Sequence, residues 1–343
     1  MTTQYKKWLN LPFDQFSRQV QVYETINALR SSNKEAFKLV DMGGYKGVTR
    51  ALHTNDDVTV LDVFDVKEEG YIKGDGTKTP FQNNEFDFAL SFDVLEHIKQ
   101  EQRVAFLKES ARIAKRGVIA AFPQKNDANE FAEKSLDNYY KTLHGERHRW
   151  LKEHIDFAIP SQKDIESTLQ KLGMKTLTMS SNDVELWLLM QGAMFLTSKY
   201  LEIGGSGMSA LNSYYNKELG AFDTLPGGMG SYRKIIVGLK NDNDYTTVKA
   251  WLGTRQTDIT NGDKLKVIEE LNVFYLSLMN LSGQEKKQIE KERKKAEQAS
   301  KVQQENNVQL LQEIENIRNS KTYRLAQKMQ SAKHRLSKMT KGN

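Results

Sequence analysis

Residues 38–47, KLVDMGGYKG, constrain the fold of this 343-residue chain more than any other stretch. An apolar run reaches Asp41 and is followed by Gly43, Gly44 and Gly47, after which a helix-forming run begins. The order predicts a buried strand, a tight turn and a helix N-terminus. Glycines allow positive φ and close approach of a ligand, and the helix start offers unpaired N–H groups. The stretch therefore predicts a site for a nucleotide-type ligand at the end of a strand.

A second acid follows at a fixed distance. The run VTVLDV at 58–63 places Asp62 at the end of the next predicted strand. A carboxylate there suits a ribose diol, because it offers acceptors to both hydroxyls. A nicotinamide dinucleotide site has the pattern G-x-G-x-x-G and an acid only after the second strand, whereas here Asp41 also precedes the glycines.

Together these segments resemble the class I S-adenosylmethionine-dependent methyltransferases. The D-x-G-x-x-x-G spacing of Asp41, Gly43 and Gly47 resembles the first motif of that family, although Tyr45 stands where a middle glycine is usual. Residues 74–98, GDGTKTPFQNNEFDFALSFDVLEHI, are similar to the family's region G-D-x-x-x-x-P-F-x-x-x-x-F-D-x-x-x-x-x-D-V-L-E-H. The resemblance implies S-adenosylmethionine as cofactor.

The resemblance also implies which residues contact the donor. In the family, the residues that match Asp75 and Gly76 border the adenine, and the strand that matches 86–92 ends beside the methyl group. The predicted cofactor-binding residues are Asp41, Gly43, Gly44, Gly47, Asp62, Asp75, Gly76 and Asp93.

Apolar runs alternate with helical segments along the first part of the chain, which predicts an α/β fold with helices on both faces of a sheet. The predicted strands are residues 37–42, 58–63, 70–73, 86–92 and 117–122. The resembling family has a Rossmann-like sheet of seven strands, the last antiparallel, for which 232–240 is the candidate. The strand before it is placed at 175–180, with 184–189 as the alternative. Residues 8–30 have one apolar helical face and predict a helix on the sheet or a lid over the donor.

Composition shifts divide the chain further. The predicted parts are a methyltransferase domain at 1–240 with an insertion of a helix and flexible loops at about 181–231, a linker and helix at 241–283, a coiled coil at 284–318, and a basic amphipathic tail at 319–343. The tail holds seven Lys and Arg and no acid, which exceeds the net charge of +6 and leaves the rest slightly negative.

Composition also excludes several kinds of site and of targeting segment. Without cysteine there is no disulfide framework, thiolate metal site or cysteine nucleophile. The first residues lack the apolar core of a signal peptide, and the longest apolar stretch, 186–196, is too short to span a bilayer. We therefore expect a cytoplasmic protein, with peripheral contact at the inner membrane face as an extension of that expectation.

Methyl transfer requires positioned reactants and removal of one proton, for which histidine is the default base. His97 follows the fourth predicted strand, and His144, His148 and His154 follow the fifth, so both groups are expected at the cleft. We predict catalytic roles for His144, His148, His97 and Asp93. The alternatives are helix capping for Asp93 and a structural hydrogen bond for His97.

No metal is assigned. Convergence of His144, Glu146 and His148 on a divalent ion is the alternative use of this cluster, and Arg147 or Arg149 offers a fork for a phosphate or carboxylate.

The acceptor is expected to be a glycan or glycolipid. Nucleic acid is disfavoured, because no N/D-P-P-Y/F/W segment follows the fourth strand and the domain has no net positive charge. A catalytic head with a stalk and basic tail favours a large acceptor, and NSKTYRLAQKM at 319–329 is similar to segments near the ends of bacterial surface-polysaccharide glycosyltransferases and modifying enzymes. This implies O-methylation of a saccharide hydroxyl or phosphate. A small-metabolite methyltransferase, a nicotinamide dehydrogenase and a non-catalytic scaffold of a glycan-assembly complex stay open.

The C-terminal extension predicts partners. Heptad positions are filled by Ile289, Ala296, Leu310, Ile314 and Ile317, which favours a coiled coil for a homo-oligomer or a glycosyltransferase partner, against a solvated single helix. The stripe in 319–343 favours contact with an anionic membrane, with partner binding and disorder as alternatives.

Overall fold

The computed structural model describes residues 8–30, 35–44, 48–199, 201–218, 229–255 and 260–319. Within these ranges the chain forms one sheet and a set of helices, numbered in chain order. The strands are β1 (Lys38–Met42), β2 (Asp57–Asp62), β3 (Tyr71–Lys73), β4 (Phe86–Phe92), β5 (Ala114–Pro123), β6 (Lys175–Asp183) and β7 (Ser231–Leu239). The helices are α1 (Phe13–Ala28), α2 (Thr49–Leu52), α3 (Gln100–Ile113), α4 (Asp127–His144), α5 (Arg149–Phe157), α6 (Gln162–Lys171), α7 (Val184–Lys199), α8 (Leu201–Glu218), α9 (Asp242–Thr254) and α10 (Asn261–Asn319).

The sheet has seven strands in the order β3-β2-β1-β4-β5-β7-β6. The first five in that order are parallel, and β7 runs antiparallel to both β5 and β6. The strand order reverses at β1 and β4, where ligands of open α/β sheets bind. This is the predicted Rossmann-like methyltransferase sheet, and the fold class is confirmed.

Two apolar cores hold the helices to the two faces of the sheet, as the continuous apolar character of the central strands requires. Phe106 and Leu107 of α3 and Leu169 of α6 pack on one face. Val22 and Ile26 of α1, together with α9, pack on the other. The predicted N-terminal helix therefore packs on the sheet.

A third core joins helices that lie outside the sheet layers. Trp187 and Met190 of α7 and Leu211 of α8 pack with Val267 and Leu271 near the start of α10. Two expectations for this region are wrong. The alternative strand at 184–189 is part of α7, and the GGSG segment at 204–207, expected to be a flexible loop, lies within α8. The apolar partners around these helices outweigh the weak local helix propensity of glycine.

The segment predicted to be a linker also differs from the expectation, because it is mostly helical. Residues 242–254 form α9, and buried Val248 packs it against the sheet. Asn241 accepts a hydrogen bond from the backbone N–H of Asp244 at 2.7 Å, so the polar residues that suggested a linker are the N-terminal cap of a helix.

The chain divides into two units, Met1–Leu278 and Met279–Asn343. The described part of the second unit is the remainder of α10, a single helix through the predicted break near 283. Side chains 298–310 are exposed, including Leu310 at 54%. The coiled coil stays a prediction, and the tail after residue 319 lies outside the described residues. None of the described helices is long and apolar enough to cross a membrane.

Candidate active site

A cleft of about 860 Å³ lies at the carboxyl ends of the strands. It brings together most of the predicted site residues from both groups. Those that line it are Gly43, Asp62, Asp75, Gly76, Asp93, His97 and His148. Asp41, Gly44 and His144 are outside this lining, and Gly47 lies outside the described residues.

The glycine turn begins where β1 ends. Gly43 has a φ of +88° and donates its N–H to the carbonyl of Leu61 at 2.7 Å, which ties the turn to β2. A Cβ at Gly43 would lie 2.5 Å from Val94, and one at Gly44 would lie 2.3 Å from the Asp41 carboxylate. Both positions therefore require glycine for lack of space, and Gly43 requires it for its backbone conformation as well.

Asp41 is buried beneath this turn. Its Oδ2 accepts a hydrogen bond from the Thr49 hydroxyl at 2.5 Å, while its Oδ1 has no hydrogen-bond partner among the described residues. Burial raises the pKa of Asp41 to about 6, and the hydrogen bond from Thr49 and the charge of Arg18 only partly offset this effect. A buried acceptor without a partner is costly unless a ligand supplies one.

The two other acids of the donor motif sit on neighbouring loops. Asp62, the last residue of β2, is buried, and its Oδ1 accepts the backbone N–H of Phe64 at 3.0 Å. Asp75 accepts the backbone N–H and the hydroxyl of Thr77, each at 2.8 Å, so it shapes the turn at residues 76–77. A Cβ at Gly76 would lie 2.6 Å from Phe106, which explains the glycine.

These residues fit the S-adenosylmethionine that the resemblance implies. Asp41 supplies a buried, partly unpaired acceptor for a cationic ligand, and Asp62 supplies carboxylate acceptors in the cleft. Gly43 and Gly76 keep the backbone open to the ligand.

Asp93 is the centre of a buried ion-pair network at the end of β4. It accepts two hydrogen bonds from Arg233 of β7, at 2.7 and 2.5 Å, and one from Arg18 of α1 at 2.7 Å. Arg233 also donates to Asp14 at 2.8 Å and to Asn182 at 2.6 Å. Burial would raise the pKa of Asp93, but the charges of Arg233 and Arg18 outweigh burial and hold it well below its usual range.

The backbone at Asp93 supports a positioning role. Its φ is +53°, which is uncommon for a residue other than glycine and costs free energy. The following 3₁₀ turn, Leu95–His97, has Val94 at its N-cap and no side-chain cap, so the capping alternative for Asp93 is wrong. With its carboxylate held by two guanidinium groups, Asp93 is poorly suited to act as a base.

Two imidazoles face each other beside this network. Nε2 of His97 lies 3.3 Å from Nε2 of His154, which comes from α5. Nδ1 of His97 lies 2.9 Å from Glu153, and Nδ1 of His154 lies 2.9 Å from Glu133. One carboxylate oxygen of Glu96 and one ring nitrogen of each histidine lie within 4.8 Å of one another.

Burial and neighbouring charges perturb this group. Burial, aided by the charge of His154, lowers the pKa of His97 to about 3. Burial would lower the pKa of His154 as well, but its hydrogen bond and charge interaction with Glu133 outweigh burial and raise it. Burial and the charge of Asp93 raise the pKa of Glu96 to about 8.

The α4–α5 connection places the remaining histidines apart. Gly145, with a φ of +84°, ends α4. His144 stacks on Tyr140 with ring centroids 4.1 Å apart, and its Nε2 lies 3.3 Å from the Ser198 hydroxyl. His148 lines the cleft, and its Nδ1 is buried without a hydrogen-bond partner in the described part of the chain. Burial, aided by the charge of His154, lowers the pKa of His148, so its imidazole is neutral near pH 7.

The alternative metal set is wrong in its members. Among the described residues, the side chains that converge closely enough to hold an ion are Glu96, His97 and His154. The ring of His144 stacks on Tyr140, whereas the ring of His148 meets the same tyrosine at an interplanar angle of 75°.

Sequence reasoning missed the partners that arise only from folding. Arg18 and Arg233 carry no local signal, because they meet Asp93 from 75 and 140 residues away. Glu96 stands inside the D-V-L-E-H motif, next to His97 and just after the fourth strand, and that position was the signal that could have found it. Its burial is seen only in the structure.

One segment of the chain matches a known protein family. Residues 49–122 match the family model described as "Methyltransferase domain". No curated protein sequence matches the chain.

Solved structures of methyltransferases have a similar arrangement. An S-adenosylmethionine-dependent methyltransferase from Thermotoga maritima is 14% identical over 70% of this chain and all of its own, with a TM-score of 0.40. Magnesium protoporphyrin IX methyltransferase from Synechocystis, with bound S-adenosylhomocysteine, is 14% identical over 66% of this chain and 83% of its own, with a TM-score of 0.38.

The domain match and the residues around the glycine turn together indicate methyl transfer. The matched segment runs from the helix after that turn to β5 and includes Asp62, Asp75 and Asp93. Residues 49–122 therefore form a methyltransferase domain match on the seven-stranded sheet, and the residues of its cleft fit S-adenosylmethionine as the cofactor.

Proposed function

We propose that the protein is an O-methyltransferase that acts on a hydroxyl of a saccharide, within a surface polysaccharide or its lipid-linked or nucleotide-linked precursor. The observation that carries the proposal is the composition of the cleft: the donor acids Asp62 and Asp75 share it with His97, His148 and His154. When bound, S-adenosylmethionine supplies an electrophilic methyl group. An alcohol acceptor must lose a proton during transfer, and imidazole is the side chain suited to accept it.

His148 is the residue proposed as the base. It lines the cleft, and its neutral imidazole holds a buried nitrogen without a described partner. Its ring is fixed between Tyr140, at 4.7 Å, and Phe195, at 4.8 Å between centroids. A fixed, neutral imidazole can accept a proton without first reorganising.

The aromatic lining favours a sugar over a purely polar acceptor. Trp150 and Phe64 line the cleft and remain 40% and 38% exposed. The guanidinium of Arg149 lies over both rings, 4.7 Å from the centroid of Trp150 and 5.8 Å from that of Phe64. Sugar rings have apolar C–H faces and polar hydroxyls, so they suit a surface that combines aromatic rings with hydrogen-bonding groups.

The extension after residue 278 is proposed to bring this domain to its acceptor or to a partner. Exposed apolar residues on α10, Val302, Val308 and Leu310, suit association with a second helix, from another copy or from a glycosyltransferase. The basic tail is proposed to contact an anionic membrane surface.

The test is incubation with methyl-labelled S-adenosylmethionine and three acceptor classes: nucleotide sugars, lipid-linked saccharides extracted from membranes, and a panel of small alcohols and amines. Acid hydrolysis followed by mass spectrometry locates the label. Methyl label on a sugar oxygen supports the proposal. Label confined to an amine or to a small non-sugar alcohol contradicts it in favour of a metabolite methyltransferase, and donor binding without turnover on any class favours the scaffold.

A further inference from the structure

We propose that Glu96, His97 and His154 form a site for one divalent transition-metal ion on the wall of the cleft. Its existence does not depend on the acceptor, whereas its role in the reaction rests on the proposed function. The three side chains come from the 3₁₀ turn after β4 and from α5, and all of them line the cleft.

The hydrogen bonds fix which nitrogens face the site. The Tyr232 hydroxyl donates to Oε1 of Glu133 at 2.8 Å, and the same oxygen receives Nδ1 of His154 at 2.9 Å. A carboxylate only accepts, so Nδ1 of His154 carries the proton, and the same reasoning applies to His97 against Glu153. In their neutral forms, both imidazoles then direct the lone pair of Nε2 towards the other ring.

Two lone pairs 3.3 Å apart require a cation between them. Two nitrogens bound to one tetrahedral ion at about 2.0–2.1 Å lie roughly 3.3 Å apart, which matches the observed separation. A shared proton would satisfy the two nitrogens alone. It would not account for the third group of the cluster.

That third group is Glu96. It is 0% exposed, and neither of its carboxylate oxygens is hydrogen-bonded to another residue in the described ranges. A buried carboxyl group without any hydrogen-bond partner is unfavourable in either protonation state, and a divalent ion within reach of it and of the two imidazoles would supply the missing partner.

The surroundings have the features of a built site. Each ligating histidine has its own carboxylate partner on Nδ1, the arrangement that orients imidazole ligands and raises their basicity. A set of two imidazoles and one carboxylate suits Zn²⁺, Mn²⁺, Fe²⁺ or Co²⁺, and it leaves at least one coordination position of the ion open. Because the three ligands line the cleft, an acceptor hydroxyl can occupy an open position, where the ion would lower the pKa of that hydroxyl.

The test is metal binding by the full chain, independent of turnover. The chelator-stripped protein is titrated with Zn²⁺ and with Mn²⁺ by calorimetry, and with Co²⁺ by visible absorption, with one equivalent expected at micromolar concentrations. His154→Gln and Glu96→Gln should abolish stoichiometric binding. His144→Gln, on the same segment but outside the cluster, should bind as the wild type does.

A second variant keeps the proposal testable if the buried substitutions impair folding. Glu153→Gln leaves all three ligands in place, changes the partner of His97 and of the exposed Arg149, and should weaken metal binding by about 10- to 100-fold. Binding of S-adenosylhomocysteine by each variant reports an intact donor site. If the wild type binds S-adenosylhomocysteine but none of the three ions, or if the cluster variants bind metal as tightly as His144→Gln, the site does not exist. Metal binding without methylation of any saccharide would leave the site standing and contradict the proposed acceptor.

Discussion

The guanidinium of Arg233 on β7 lies against the carboxylate of Asp93 at the end of β4, with its Nε 2.7 Å from Oδ1 and its Nη2 2.5 Å from Oδ2. This bidentate pair spans β5, which separates the two strands in the sheet. Arg233 is buried and Asp93 is partly buried, and Arg18 adds a second cation to the same carboxylate. The network therefore joins α1, β4 and β7 at the floor of the cleft.

We expect Asp93→Ala to destabilise the fold strongly, because it leaves the buried guanidinium of Arg233 with only Asp14 and Asn182. Removal of one partner of a buried ion pair costs about 3–5 kcal/mol. Denaturant unfolding monitored by circular dichroism measures the change, with exposed Asp65→Ala as control. A loss of turnover at unchanged stability would show instead that Asp93 acts chemically.

Asp62→Ala is expected to impair donor binding while the fold stays intact, because the substitution removes carboxylate acceptors from the cleft. Loss of charge-assisted hydrogen bonds should cost about 2–4 kcal/mol of binding free energy. Calorimetric titration with S-adenosylhomocysteine gives the affinity, again against Asp65→Ala. Unchanged affinity would remove Asp62 from the donor site.

The pKa of Asp41 predicts an unusual pH dependence of stability. Because burial raises the pKa from 3.8 to about 6, the folded state holds a proton between these values that the unfolded state has lost. Stability without ligand should therefore fall as pH rises from about 4 to 6, by up to about 3 kcal/mol. Asp41→Asn should flatten this profile and be more stable than the wild type above pH 6.

The same variant separates two roles of Asp41. If the carboxylate faces the cationic donor, Asp41→Asn should bind S-adenosylmethionine more weakly even though its free form is more stable. An effect on stability alone would mean that Asp41 only closes the turn over Gly44, whose backbone lies against it.

His148→Gln should lower turnover by roughly 10² while donor affinity stays unchanged, because the substitution removes the proposed base. His144→Gln is the matched control, since this side chain stacks on Tyr140 outside the cleft lining. Single-turnover kinetics with labelled donor make the comparison. Equal turnover in the two variants would show that His148 is not the base and that another group in the cleft accepts the proton.

Deletion of residues 319–343 is expected to leave methyl transfer to a soluble acceptor unchanged and to release the protein from anionic liposomes. The seven basic residues of this segment each contribute about 1 kcal/mol near acidic headgroups, and added salt should weaken the binding. Sedimentation with liposomes tests this. If the truncated chain still sediments, or the full chain never does, the segment serves assembly instead.

The donor half of the site was predictable because its signals are local. Asp41, Gly43, Asp62 and Gly76 each sit at a strand end or tight turn that short sequence patterns specify. The acceptor half was only partly predictable. His148 and His154 lie six residues apart, yet His148 packs on Phe195 while His154 meets His97, and this difference comes from α5 and its tertiary contacts.

The errors outside the site have the same cause. Residues 242–254 are polar enough to suggest a linker, but buried Val248 and partly buried Trp251 and Leu252 pack this helix on the sheet, and Asn241 caps it. Residues 184–189 are apolar except for Glu185, and periodicity cannot distinguish a buried strand from a buried helix in so short a run.

The position of β7 sets the order in which this domain can be completed during synthesis. β7 pairs with both β5 and β6 in the sheet, yet it is the last strand to leave the ribosome. Until residue 239 has emerged, β5 and β6 each present an unpaired edge, and Asp14 and Asp93 lack the cation of Arg233. Such edges favour pairing with other chains. A nascent chain of this protein therefore depends on the prompt arrival of β7, and a translational pause between residues 184 and 230 would expose it to aggregation at the stage when most of its sheet is already made.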